Sequence, residues 1–132
     1  MKYHFNKYSS SKTASKGAKL HYQNTCIITG GISTEIVLVG AHIVAAGSCP
    51  ELKCYRENIL PMAARAHTTG NNTFDWIGFG KKERSLPGKI LWLRAAVIDE
   101  LKPKVLEQLY ELIELARLKG LNQIANQIET AI

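Results

Sequence analysis

No acidic residue occurs before Glu35, so the first five lysines of the chain (Lys2, Lys7, Lys12, Lys16 and Lys19) have no carboxylate close to them in sequence. Long apolar runs are missing too. The stretch around Ile36-Val37-Leu38-Val39-Gly40-Ala41 falls far short of the ~20 residues that a membrane span requires. Residues 1–20 (MKYHFNKYSSSKTASKGAKL) lack the apolar central run of a secretory signal, which makes an intracellular, cytoplasmic protein the expectation. Cysteine is scarce. Cys26, Cys49 and Cys54 are odd in number and form no C-x-x-C pair, which argues against a disulfide framework and excludes a four-thiolate zinc knuckle. No low-complexity tract or extended repeat is present.

What remains is the composition of an ordinary folded chain: 132 residues, 45% hydrophobic and 21% charged, enough for one domain with a modest core. The net charge of +6 is unevenly spread. Residues 1–98 carry 13 Lys and Arg against 5 Asp and Glu, whereas residues 99–132 carry 4 against 6. A lysine-rich end without acids is drawn to polyanions, with an affinity that falls as salt rises. Considered alone, such an arm reads more simply as a solubilising tail.

Residues 1–20 show no sustained period and read as a mobile or partly helical arm. Cys26-Ile27-Ile28-Thr29 before Gly30-Gly31 reads as a short strand entering a turn. Glu35–Val39, continuing through Ala41-His42-Ile43-Val44, reads as a β-branched strand. Residues 45–57 suit a loop, and Asn58–Met62 forms a second short strand that Pro61 confines to an edge or an end. Ala63 to Thr69 reads as the start of a helix that Gly70-Asn71-Asn72 interrupts or bends. After Leu86-Pro87-Gly88 a helix is predicted over about 89–101, with Pro103 in the first turn of the next. Leu106, Leu109, Ile113 and Ala116 mark an apolar stripe, Gly120 interrupts it, and Leu121, Ile124, Ala125, Ile128 and Ile132 resume it. Trp76 and Trp92 read as core, whereas Tyr3, Tyr8 and Tyr22 either stack on bases or pack on the domain.

The chemistry lies in residues 26–75. A metal-assisted phosphodiesterase needs a base of near-neutral pKa to make hydroxide from water, and imidazole suits that role. It needs a cation at the phosphate and something to hold the base in one orientation. His42 ends a strand, Asn58 follows 16 residues later and His67 nine after that, with Asn71 and Asp75 four and eight beyond His67. Singly, each has a plain explanation: a core histidine, a turn asparagine, loop chemistry after Gly70.

Together, Cys26-x-Ile28-Thr29-Gly30, Ala41-His42-Ile43, Asn58-Ile59-Leu60 and His67 with downstream Phe74-Asp75 resemble the HNH endonuclease family over about residues 22–80. The resemblance implies an α+β fold, a small ββα-metal finger over 21–85, and the charge and periodicity patterns add a basic arm (1–20) before it and a helical C-terminal region (86–132) after it. It also implies that His42 is the general base, that Asn58 fixes the hairpin and that His67 binds a divalent cation. Two positions depart from the family pattern. Ala41 stands where many members place an acidic or histidine ligand, and the usual H-x-x-F-D ending is stretched to six residues between His67 and Phe74. Asn71 then completes the metal site on helical geometry, or Asp75 does so on charge.

The expected activity is metal-dependent hydrolysis of DNA phosphodiesters. The ion is magnesium or manganese, with zinc or nickel also compatible with imidazole ligation. Lys12, Lys16, Lys19, Lys81, Lys82 and Arg84 are the candidates for gripping backbone phosphates. The alternative is a catalytically inactive HNH-like module that binds nucleic acid or protein. The C-terminal stripes must be buried on the domain, on each other or in a homodimer.

Overall fold

Ser10 and Thr13 close the first turn of helix α1 (Ser11–His21) by a reciprocal capping box: Thr13 N–H donates to Ser10 Oγ at 3.2 Å and Ser10 N–H to Thr13 Oγ1 at 3.3 Å. The computed structural model describes residues 4–68, 73–74 and 82–132, the last segment with its side chains from residue 86 onward. The segment read as a mobile or partly helical arm is thus a helix from Ser11, and it packs on the sheet. Its buried face consists of Ala14 and Ala18, which meet Ile59 and Tyr8. Alanines, serines and a glycine carry little hydropathy contrast, which is why no period stands out. A Cβ on Gly17 would run into the Tyr8 ring.

Strands β1 (Leu38–His42) and β2 (Ile59–Ala63) form a two-stranded antiparallel sheet with Leu38 opposite Ala63 and His42 opposite Ile59. Pro61 sits mid-strand opposite Gly40, and its carbonyl accepts Ile27 N–H at 3.1 Å. At Gly40 the strand passes close to α1. A Cβ there would lie 2.5 Å from Ser15 Oγ. The connection from 43 to 58 carries two short 3-10 turns, Pro50–Leu52 and Arg56–Asn58. Helix α2 (Ala64–Thr68) starts directly after β2 and contacts both strands.

Two expected strands differ. Residues 26–31 form a turn wound about a sulfur: Cys26 Sγ accepts from Ile28 N–H (3.3 Å), Thr29 N–H (3.4 Å) and Ala63 N–H (3.0 Å), and Gly30 takes a positive φ of 77°. The run from Glu35 becomes a strand only at Leu38, because Glu35 and Ile36 turn back to the Ile32 carbonyl.

Helix α3 (Lys82–Ala96) begins well before the predicted 89 and ends before 101, taking Pro87-Gly88 into its interior. Burial of Leu86, Ile90, Leu93 and Val97 at helical spacing outweighs the local breakers. Helix α4 (Lys102–Leu118) has Pro103 in its first turn as expected. Its buried stripe runs through Val105, Leu109, Leu112, Ile113 and Ala116, whereas Leu106 is 39% exposed. At Gly120 (φ 75°) the chain reverses in a Schellman motif, with Leu121 N–H donating to Ala116 O at 2.8 Å and Gly120 N–H to Arg117 O at 3.0 Å. Helix α5 (Asn122–Ala131) buries Ala125 and Ile128 against α4 and α3. The C-terminal apolar stripes are therefore used within the chain. The protein is a small α+β fold, and among the described residues no helix is long and apolar enough to cross a membrane.

Candidate active site

His42 closes β1, half-buried, and its Nε2 lies 2.9 Å from the carbonyl oxygen of Lys53. A carbonyl can only accept, so Nε2 carries the proton and Nδ1 of the neutral ring keeps its lone pair. Lys53 belongs to the turn that follows Pro50–Leu52, and its own side chain is exposed. The adjacent carbonyl, Cys54 O, accepts Tyr8 N–H at 2.8 Å. The N-terminal segment thus runs beside the carbonyl that holds the imidazole.

Asn58 is fully buried at the end of the second 3-10 turn. Its Oδ1 accepts Val44 N–H at 2.8 Å, and its Nδ2 donates to Val44 O at 3.0 Å and Leu52 O at 3.3 Å. Its own carbonyl accepts Ile43 N–H at 2.8 Å. One residue therefore ties the exit of β1 to the entry of β2 and to the intervening turn. The neighbouring Glu57, 2% exposed, accepts the main-chain and side-chain N–H groups of Asn6. From α4, buried Gln108 donates to Glu57 O at 3.1 Å and Ile59 O at 2.8 Å while accepting Tyr22 O–H at 2.7 Å. Burial pushes the Tyr22 hydroxyl pKa up, and Glu111 adds to the effect. Tyr22 is thus packed within the domain, as is Tyr8, rather than presented for stacking.

His67 lies on α2, half-buried, three residues after α2 begins at Ala64. Asn71, Asp75 and Lys81, like Tyr3 and Trp76, lie outside the described residues. Lys82 and Arg84 belong to the first turn of α3, where only the backbone is described. Trp92 is partly buried and packs against Phe74, with ring centroids 5.6 Å apart. Among the described residues no group of three or more His, Cys, Asp and Glu gathers into a metal-binding cluster. Ala41, beside His42, is fully buried in the core and offers no ligand.

Lys12 and Lys16 are exposed and Lys19 partly so. Spacings of four and three place them on one face of α1, opposite Ala14 and Ala18. That face is free of carboxylates along the helix.

Three supporting residues escaped the sequence reading: Glu57, Gln108 and Lys89. Lys89 and Gln108 each sit on an apolar helical stripe, Lys89 between Leu86 and Leu93 and Gln108 between Val105 and Leu112. A polar residue at a core position of such a stripe is the signal that identifies them. The role of Lys53 rests on its backbone carbonyl, and no side-chain pattern reveals that.

No family model, no curated protein and no solved structure matches this chain.

Proposed function

We propose that the chain is a metal-dependent endonuclease of the HNH type, with β1, β2 and α2 as its ββα-metal finger, hydrolysing DNA phosphodiesters. The observation that carries this reading is the state of His42: tethered through Nε2 to Lys53 O, with Nδ1 left as the basic nitrogen, at the end of a strand that Asn58 locks.

His42 Nδ1 removes a proton from a water in line with the scissile P–O bond. Asn58 keeps the hairpin, and hence the imidazole, in register with that water. A divalent cation, magnesium or manganese, supplies charge neutralisation at the departing 3′ oxygen when bound. His67 would hold it together with Asp75 or Asn71. His67 alone is too few donors for a hard ion, so the fit depends on a carboxylate or amide from those two positions. Lys12, Lys16 and Lys19 on α1, with Lys81, Lys82 and Arg84 near the start of α3, bind flanking phosphates.

Burial of Ala41 favours a second reading, an inactive nucleic-acid-binding module of the same shape. Plasmid nicking with magnesium or manganese, comparing the wild type with His42→Ala, separates the two. An enzyme cuts only with metal and loses cutting in the variant. A binding module retards DNA in a gel and cuts in neither form.

A further inference from the structure

We infer that Lys89 is a positioning residue for His42, the counterpart on α3 of what Asn58 does from the hairpin. The inference rests on the reading of His42 as the base. Lys89 is 4% exposed, 46 or 47 residues distant in sequence from the groups it reaches, and its Nζ donates to His42 O and Ile43 O, each at 3.4 Å. The same ammonium stands 4.7 Å from the centroid of the buried Phe74 ring.

The main-chain groups of residues 42–44 show what Lys89 does for the β1 exit. Asn58 takes Ile43 N–H with its carbonyl, and Val44 N–H and Val44 O with its amide. Of the carbonyls in this segment that leaves those of His42 and Ile43, and Lys89 reaches both. Buried carbonyls need donors, and a single ammonium with three protons serves two of them. The cation therefore fixes the carbonyls of His42 and Ile43, while Asn58 fixes Ile43 N–H and both main-chain groups of Val44. With both in place the His42 ring meets Lys53 O, and Nε2 is the protonated nitrogen.

The test reads the His42 tautomer in the full chain by long-range proton–nitrogen NMR, with Lys89→Met and Lys89→Arg beside the wild type. In the wild type and in Lys89→Arg, His42 is protonated on Nε2. In Lys89→Met the two tautomers mix, and kcat for nicking falls on the order of tenfold with KM nearly unchanged, since misplaced groups cost rate more than binding. An unchanged Nε2–H tautomer in folded Lys89→Met overturns the proposal. A wild-type chain that cuts nothing defeats the endonuclease reading alone, because the tautomer shift is read without any reaction. Should Lys89→Met fail to fold, the wild type still decides. Lys89 Nζ protons that exchange slowly, protected by the two carbonyls, support the proposal, and exchange at the rate of a solvated lysine overturns it.

Discussion

The amide of Asn58 and the main chain of Val44 are joined by two hydrogen bonds, with Val44 N–H donating to Oδ1 at 2.8 Å and Nδ2 donating to Val44 O at 3.0 Å. A side chain here does what a further residue pair of the sheet ladder would do. It does so fully buried, so each partner left unmet costs about 1–3 kcal/mol.

Two substitutions at Asn58 are therefore expected to differ. Asn58→Ala strands Val44 N–H and the carbonyls of Val44 and Leu52, and should lower stability by about 3 kcal/mol. Asn58→Asp keeps the acceptor for Val44 N–H but turns a carboxylate oxygen toward two carbonyls, and should be at least as damaging. Urea denaturation of the three proteins measures the order. Equal stability of wild type and Asn58→Asp would contradict the assignment of Oδ1 and Nδ2.

Gly40 marks where α1 rests on the sheet. A Cβ there meets Ser15 Oγ at 2.5 Å, Ser15 Cβ at 2.7 Å and Ile59 Cγ2 at 3.0 Å. Gly40→Val should cost about 1–3 kcal/mol by overpacking, and Ser15→Gly in the same chain should recover part of it. A double-mutant cycle by thermal melting gives the coupling, and strictly additive losses would mean that α1 does not press on Gly40.

Stability should fall in mild acid because of His21. Burial holds its pKa below 6.5, and the Arg56 and Lys104 cations add to the effect. The unfolded chain takes up a proton near 6.5 and the folded chain resists it, so this contribution is intact above pH 6.5 and is lost as pH drops through the lowered folded value. Glu111 acts oppositely at lower pH. Burial first, then Glu57 and Glu107, raise its pKa above 4.5, so protonating it relieves a cost. His21→Gln should flatten the loss of urea midpoint between about pH 7.5 and 5.5, the range that brackets an ordinary imidazole pKa. A slope identical to the wild type would show that His21 does not titrate in this window.

If α1 binds backbone phosphates through Lys12, Lys16 and Lys19, each lysine that neutralises a phosphate contributes about 0.9 to the slope of log affinity against log salt for duplex DNA. The triple alanine variant should weaken binding and reduce that slope by up to about 2.7. The folded core should be untouched, because the buried face of α1 is the opposite one. Fluorescence anisotropy across a salt series tests it, and an unchanged slope would remove the helix from the interface.

The residues that carry the proposed chemistry were readable in order: a histidine closing one strand, an asparagine opening the next, and a histidine on the helix that follows. So was the helical C-terminus, since Pro103, Gly120 and large apolar residues at helical spacing are local signals. α1 was legible only as a mobile or partly helical arm, because its buried face is built from alanines and its partner, Ile59, lies on a strand far along the chain. The extension of α3 through Pro87-Gly88 was hidden for a related reason: only contact with the rest of the core makes burial of Leu86 favourable.

The sequence by itself determined which groups can titrate, where cations gather and where most strands and helices lie, because those depend on residue type and short spacing. Only the tertiary structure decided that Nε2 of His42 is the tied nitrogen, that the Cys26 turn closes on sulfur, and that Asn58 and Lys89 both bind the main chain of residues 42–44. Those are hydrogen bonds to backbone atoms, and the backbone is chemically alike at almost every position. Which carbonyl meets which donor is fixed by packing at long range, so no local pattern of side chains encodes it.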